Sequence, residues 1–87
     1  MSHFAVSYQL NLAKDYQSLW DEFARLGGHK VMNSFYFVDL NNTTAEVRDH
    51  LRQFIDEDDY LCVVKFSTKP SFSRALAGTN AWIDKRY

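Results

Sequence analysis

An α+β fold built on an antiparallel sheet is what this 87-residue sequence predicts. Three observations predict it. Strand-type apolar stretches occur at four places, apolar stripes at helical spacing occur at two places between them, and a tight-turn dipeptide joins the middle two strands. The order is βαββαβ. Two helical crossovers around a central hairpin give the ferredoxin-like split βαβ arrangement, with four strands and a short C-terminal helix or strand tail.

The elements follow in order. "HFAVSYQLN" (3–11) alternates Phe4, Val6, Tyr8 and Leu10 against Ala5, Ser7 and Gln9, the period of a strand with one strongly apolar face. From Leu12 the period becomes helical. Tyr16, Leu19, Trp20, Phe23 and Leu26 share a stripe, and Lys14, Asp15, Gln17, Asp21, Glu22 and Arg25 take the solvated side. Gly27-Gly28 ends that helix through an easy left-handed C-cap. "HKVM" and "SFYFVDL" read as a short and a longer strand around a turn at Asn33-Ser34.

"TTAE" (43–46) is a capping box, with Thr43 facing the amide of Glu46 and Glu46 reaching back. Val47, Leu51, Phe54 and Ile55 form the stripe of the second helix, with His50 on its edge as a hydrogen-bonded boundary residue. Carboxylates at a helix C-terminus are unfavourable, so the helix should end before Asp56, Glu57, Asp58 and Asp59. These four read as a solvated turn, because consecutive side chains diverge and no glycine-spaced calcium loop is present. Asp58 or Asp59 is expected to cap the turn or to pair with a basic residue of the tail. Tyr60 to Phe66 form the fourth strand. In the tail (69–87), Ser71 to Ala77 read as a short helix ended by Gly78, and Ala81 to Ile83 as a final strand or turn, packed on the sheet or on a partner subunit.

Residues 1–87 have room for one domain, and a chain of this size buries only about 60–65% of its unfolded surface. A second copy is a natural source of further burial. The 46% apolar and 24% charged composition, with three glycines and one proline, is that of a globular chain. The single Cys62 lies in an apolar strand pattern and reads as a small buried hydrophobe. No basic-plus-apolar leader and no apolar run of about 18 residues is seen, so a cytoplasmic protein without membrane contact is expected. Formal net charge is −1. Nucleic-acid contact would therefore need Lys65, Lys69, Arg74, Lys85 and Arg86 to gather into a local patch.

Both sides of the longer strands are apolar. Phe35 and Phe37 stand opposite Tyr36 and Val38, and Leu61 and Val63 stand opposite Tyr60, Cys62, Val64 and Phe66. That is the pattern of strands buried on both faces, and one helical layer covers only one. A second copy in an isologous dimer, or unpaired bases stacked as in an RNA-recognition motif, would cover the other, with Phe72 and Trp82 shielding part of it. The RNA-recognition pattern needs a basic-glycine start and a small residue where Tyr36 stands. The dimer is the better reading, with Tyr8, Gln9, Tyr36, Val38, Tyr60, Val64, Phe66 and Trp82 as candidate interface residues.

"VSYQLN", "NSFYFV", "RDHLRQFIDEDDYLCVV" and the late Trp82 together resemble the small CRISPR-associated Cas-two proteins and their SinR-like relatives, over nearly the whole chain. The resemblance implies a ferredoxin-like homodimer packed through its sheets, often with a C-terminal strand exchanged onto the partner. It also implies either a metal-dependent nuclease or a non-catalytic scaffold of a DNA-integration complex. The nuclease members hold a divalent ion with an aspartate just after the tyrosine that ends the first strand. Here that position is Gln9, whose amide is a weak ligand for a hard cation.

The expectation is therefore a non-catalytic dimeric module contacting protein or nucleic acid, with no catalytic residue, cofactor or metal. Two alternatives stand beside it. One is a magnesium- or manganese-dependent endonuclease using Asp15, Asp39 or the 56–59 cluster, and the other a small phage-type inhibitor of a host protein. His3, His29 and His50 lack zinc-ligand spacing, Ser7 lacks a His-Asp partner, and the glycines of "LGGHK" lie at the wrong helix end for an anion.

Overall fold

The structure, a computed structural model, describes residues 2–10 and 16–87. The elements are β1 (Ser2–Gln9), α1 (Gln17–Arg25), β2 (His29–Met32), β3 (Phe35–Leu40), α2 (Thr44–Leu51) continued by a 3-10 turn (Arg52–Phe54), β4 (Tyr60–Phe66) and α3 (Thr79–Asp84). The sheet order is β2-β3-β1-β4, and every neighbouring pair is antiparallel. This is the ferredoxin-like arrangement that the alternation of periods predicts. Leu12 to Asp15, the first part of the helical stripe, lie outside the described residues.

The first layer forms where the strand and helix periods meet. Phe4, Val6 and Tyr8 of β1 stand directly across from Val38 and Tyr36 of β3 and from Val63 and Leu61 of β4. Leu19 and Phe23 of α1 and Val47 and Leu51 of α2 close over them. Phe23 lies flat on Tyr36, with ring centres 4.0 Å apart and planes 7° apart. Trp20 is at the rim of the stripe, where its indole N–H donates to the Tyr8 hydroxyl at 3.0 Å. Tyr8, Tyr36 and Val38, named above among the candidate interface residues, are core residues beneath the helices, because they occupy the helix-facing parity of their strands.

Two glycines shape the return from α1. Gly27 takes a left-handed φ of 72°, the expected C-cap. Gly28 is needed for space, since a Cβ there would meet Val38 Cγ1 at 2.9 Å and the Phe23 carbonyl oxygen at 3.0 Å. The hairpin turns through Ser34 at φ 61°. Thr43 and Glu46 form the capping box of α2 in both directions.

A second layer covers part of the other face. Val31 and Phe37 pack against Trp82 and Ile83 of α3, with Ala5, Phe35, Phe66, Phe72 and Ala75 around them. The tail thus packs on its own sheet. Two expectations for it are corrected. Residues 71–77 form no helix, because the Leu76 amide instead donates to the Val31 carbonyl at 2.8 Å along the β2 edge. Residues 81–83 are helical and form no strand, since Thr79, Trp82 and Ile83 at i, i+3 and i+4 turn one short face onto the sheet. Gly78, at φ 95°, precedes α3 and ends no helix.

The expectation that β4 is buried on both faces is also corrected. α3 and the tail reach β2, β3 and the Phe66 end, so Tyr60, Cys62 and Val64 stay exposed, and Cys62 is no buried hydrophobe. Among the described residues no helix is long and apolar enough to cross a membrane.

Candidate functional site

β4 is an edge strand, and its uncovered side is the most distinctive surface of the molecule. Ser7 and Gln9 of β1 stand across from Cys62 and Tyr60 of β4 on the face away from the helices. They line a shallow depression of about 310 Å³. Tyr60 is 62% exposed and Val64 53%. The strip from Ser7 and Gln9 through Tyr60, Cys62 and Val64 carries no charge. On the helix side of the same strand, Ile55 and Leu61 line a second hollow of about 320 Å³ together with Arg48, Arg52 and the carboxylates of Asp56, Glu57 and Asp59. The free edge of β4 thus runs between two hollows, which suits an added strand whose side chains alternate between them.

The acidic turn fixes the start of β4. Asp59 Oδ2 accepts from the Tyr16 hydroxyl at 2.9 Å and from the Asp56 amide at 2.8 Å, so Asp59 caps the turn as anticipated and ties it to the base of α1. Burial, followed by the hydrogen bond to Asp59 and the nearby carboxylates, pushes the Tyr16 phenol up to about 12. Among the described residues no group of three or more His, Cys, Asp or Glu side chains is placed to hold a metal ion.

The position where the family resemblance implies a divalent ion does not suit one. Around Gln9 lie Ser7, Tyr60 and Cys62, which supply no carboxylate for a hard cation. Asp39 is engaged in holding the chain end. Arg86 Nε donates to its Oδ2 at 2.9 Å, while Arg86 also donates to the Trp82 carbonyl at 2.9 Å and lies 3.8 Å over the Trp82 ring. With His3 Nδ1 and the Tyr87 hydroxyl 2.6 Å apart, this cluster locks the C-terminal residues to β1 and β3. Asp15 lies outside the described residues.

The five basic candidates have different surroundings. Arg86 is held by Asp39, Lys69 lies 3.6 Å from Asp84, and Lys65 stands across from Phe4 on the helix side of the sheet. Arg74 and Lys85 are exposed. Of the proposed interface set, Gln9, Tyr60 and Val64 share the open strip, Phe66 is half-buried at its margin, and Trp82 is buried between α3 and the sheet.

Two polar sites escape a reading by stripes. Glu22, assigned by period to the solvated side, is buried. Arg25 grips it through Nε at 2.7 Å and Nη2 at 2.5 Å, and His50 Nε2 contacts its Oε2 across the helices. The Arg25 hydrogen bonds first, then that of His50, overcome burial and hold the carboxyl down at about 2, against an ordinary 4.5. A lowered carboxyl contributes stability that is full above about pH 4.5 and fades as pH falls towards 2. Glu22→Gln should therefore flatten the acid limb of the stability curve while lowering stability at neutral pH by about 1–3 kcal/mol. Urea midpoints at pH 6 and pH 3 check this, and equal acid sensitivity in both proteins would refute it.

The other site is His29 beneath the tail. The Thr79 hydroxyl donates to the Leu76 carbonyl at 2.8 Å, so His29 Nε2–H is the donor to Thr79 Oγ1 at 2.7 Å. Burial lowers the His29 pKa, favouring the neutral ring.

No protein-family model matches the chain.

Proposed function

We propose that this chain is a non-catalytic protein-binding module that works as a homodimer through the open side of β4. The observation that carries the reading is the uncharged, exposed strip formed by Gln9, Tyr60, Cys62 and Val64 on a strand with a free edge. Long apolar edges are ordinarily blunted or covered, because they template pairing with another chain. An exposed patch of this kind marks a contact surface. On this reading the chain stands with the non-catalytic side of the Cas-two-like proteins it resembles, and it needs no cofactor. Gln9 then serves as a donor and acceptor within the contact.

Protein contact is favoured over nucleic acid by the −1 net charge and by the engagement of Lys69 and Arg86 with carboxylates. We place the protein in the cytoplasm, where the exposed Cys62 stays a thiol.

Light scattering at tens of micromolar should return twice the chain mass. Incubation with RNA or DNA and magnesium or manganese should give no cleavage above the chelated control. A monomer at that concentration, or metal-dependent cleavage abolished by Asp39→Ala, would overturn the proposal.

A further inference from the structure

We infer that the tail is an acid-sensitive strap: its joint at Gly78 closes over an uncharged His29, and acidification loosens the joint and exposes the apolar ground beneath it. This device does not depend on the homodimer reading.

The joint is a single residue. Gly78 takes a φ of 95° between residues 67–77, which form no regular element, and α3. The His29 ring lies directly against it, since a Cβ at Gly78 would stand 3.2 Å from His29 Cε1. A relay of hydrogen bonds runs through this point. The Leu76 amide donates to the Val31 carbonyl at 2.8 Å, the Thr79 hydroxyl to the Leu76 carbonyl at 2.8 Å, and His29 Nε2–H to the Thr79 hydroxyl at 2.7 Å. Thr79 is buried, so its hydroxyl depends on these two partners.

The relay fixes the neutral ring with its proton on Nε2. A second proton would go to Nδ1, which bonds no acceptor among the described residues. No carboxylate among them pairs with the ring either. On the elements packed around His29, Asp39 of β3 bonds Arg86 and Asp84 of α3 pairs with Lys69, while Lys30, Arg74 and Lys85 are exposed cations. A charged ring under the strap is therefore disfavoured, and burial lowers the His29 pKa from its ordinary 6.5.

The sign follows from the direction of that shift. A base whose pKa is lowered in the closed state supports closure in full above about pH 6.5 and supports it less as pH falls below that value. His3, the other imidazole touching the tail, works the opposite way. It lies 3.8 Å from Asp39, and a charge there is drawn to the carboxylate. Acid therefore opens the joint around residues 76–80 while the chain end at Arg86 and Tyr87 stays anchored. Val31 and Phe37 lie beneath. Phe37 meets Phe66 of β4 with ring centres 5.2 Å apart, so the exposed ground joins the open strip of β4 and enlarges it.

Amide hydrogen exchange of the full chain at about pH 7.5 and about pH 5, corrected for the intrinsic pH dependence of exchange, tests the strap. Protection of the Leu76 and Thr79 amides should fall severalfold at the lower pH, while β1 and β3 amides keep theirs. His29→Gln retains a side-chain N–H for Thr79 but takes up no proton, so it should show no such fall. His3→Gln should keep the fall. A second measurement serves if His29→Gln does not fold: in the wild-type chain, the His29 ring followed by NMR and the protection of Leu76 and Thr79 should share one midpoint below pH 6.5. Equal protection at both pH values, an equal fall in His29→Gln, or two separate midpoints would overturn the inference.

Discussion

Trp82→Ala should lower the unfolding free energy by about 3–5 kcal/mol and free the tail from the sheet. Trp82 is the largest side chain of the second layer. Its ring lies 5.4 Å from Phe37 and beneath the Arg86 guanidinium. Removing it leaves a cavity over Phe37 and takes away the surface on which Arg86 rests while bonding Asp39. The urea midpoint should fall, and limited proteolysis should clip residues 69–87 before it reaches β1 to β4. A loss below about 1 kcal/mol would mean that α3 contributes little to covering the sheet.

Phe23→Ala should have an effect of similar size with a different pattern. Phe23 is fully buried and stacks on Tyr36 at the centre of the first layer, where α1 meets β1 and β3. Its truncation should also remove about 3–5 kcal/mol. For a domain whose total stability is about 5–15 kcal/mol, that is enough to unfold much of the population at 37 °C. Here no segment should be lost first, because sheet and helices share this core. Proteolysis that again began in the tail would contradict the assignment of Phe23 to the main core.

These two substitutions mark what the sequence made legible. Much of the first layer could be read from spacing alone, since Phe4, Val6, Leu19, Phe23, Val47 and Leu51 all declare their faces by it. The capping box at Thr43 and Glu46 and the break at Gly27 were likewise local signals. The second layer was announced by the double-sided apolar pattern of β3, but pattern alone did not say how far a cover extends. Phe35 and Phe37 lie under the tail, whereas the equally apolar Tyr60, Cys62 and Val64 lie beyond its reach. α3 has only six residues, too few for its period to stand out between Gly78 and the chain end.

The candidate interface was legible only in half. Tyr8 and Gln9 are neighbours in sequence but point to opposite faces, as do Tyr36 and Phe37, and parity alone separates core from surface there. Glu22 was hidden for another reason. Its burial depends on Arg25 and on His50 from the other helix, a meeting that no single stripe displays.

Amide hydrogen exchange at low and high protein concentration tests the outer edge of β4 most directly. The homodimer predicts that outward-facing amides of residues 60–66 exchange quickly in dilute protein and become strongly protected as concentration rises, while β1 and β3 amides stay protected throughout. Fast exchange along β4 at every concentration would contradict it.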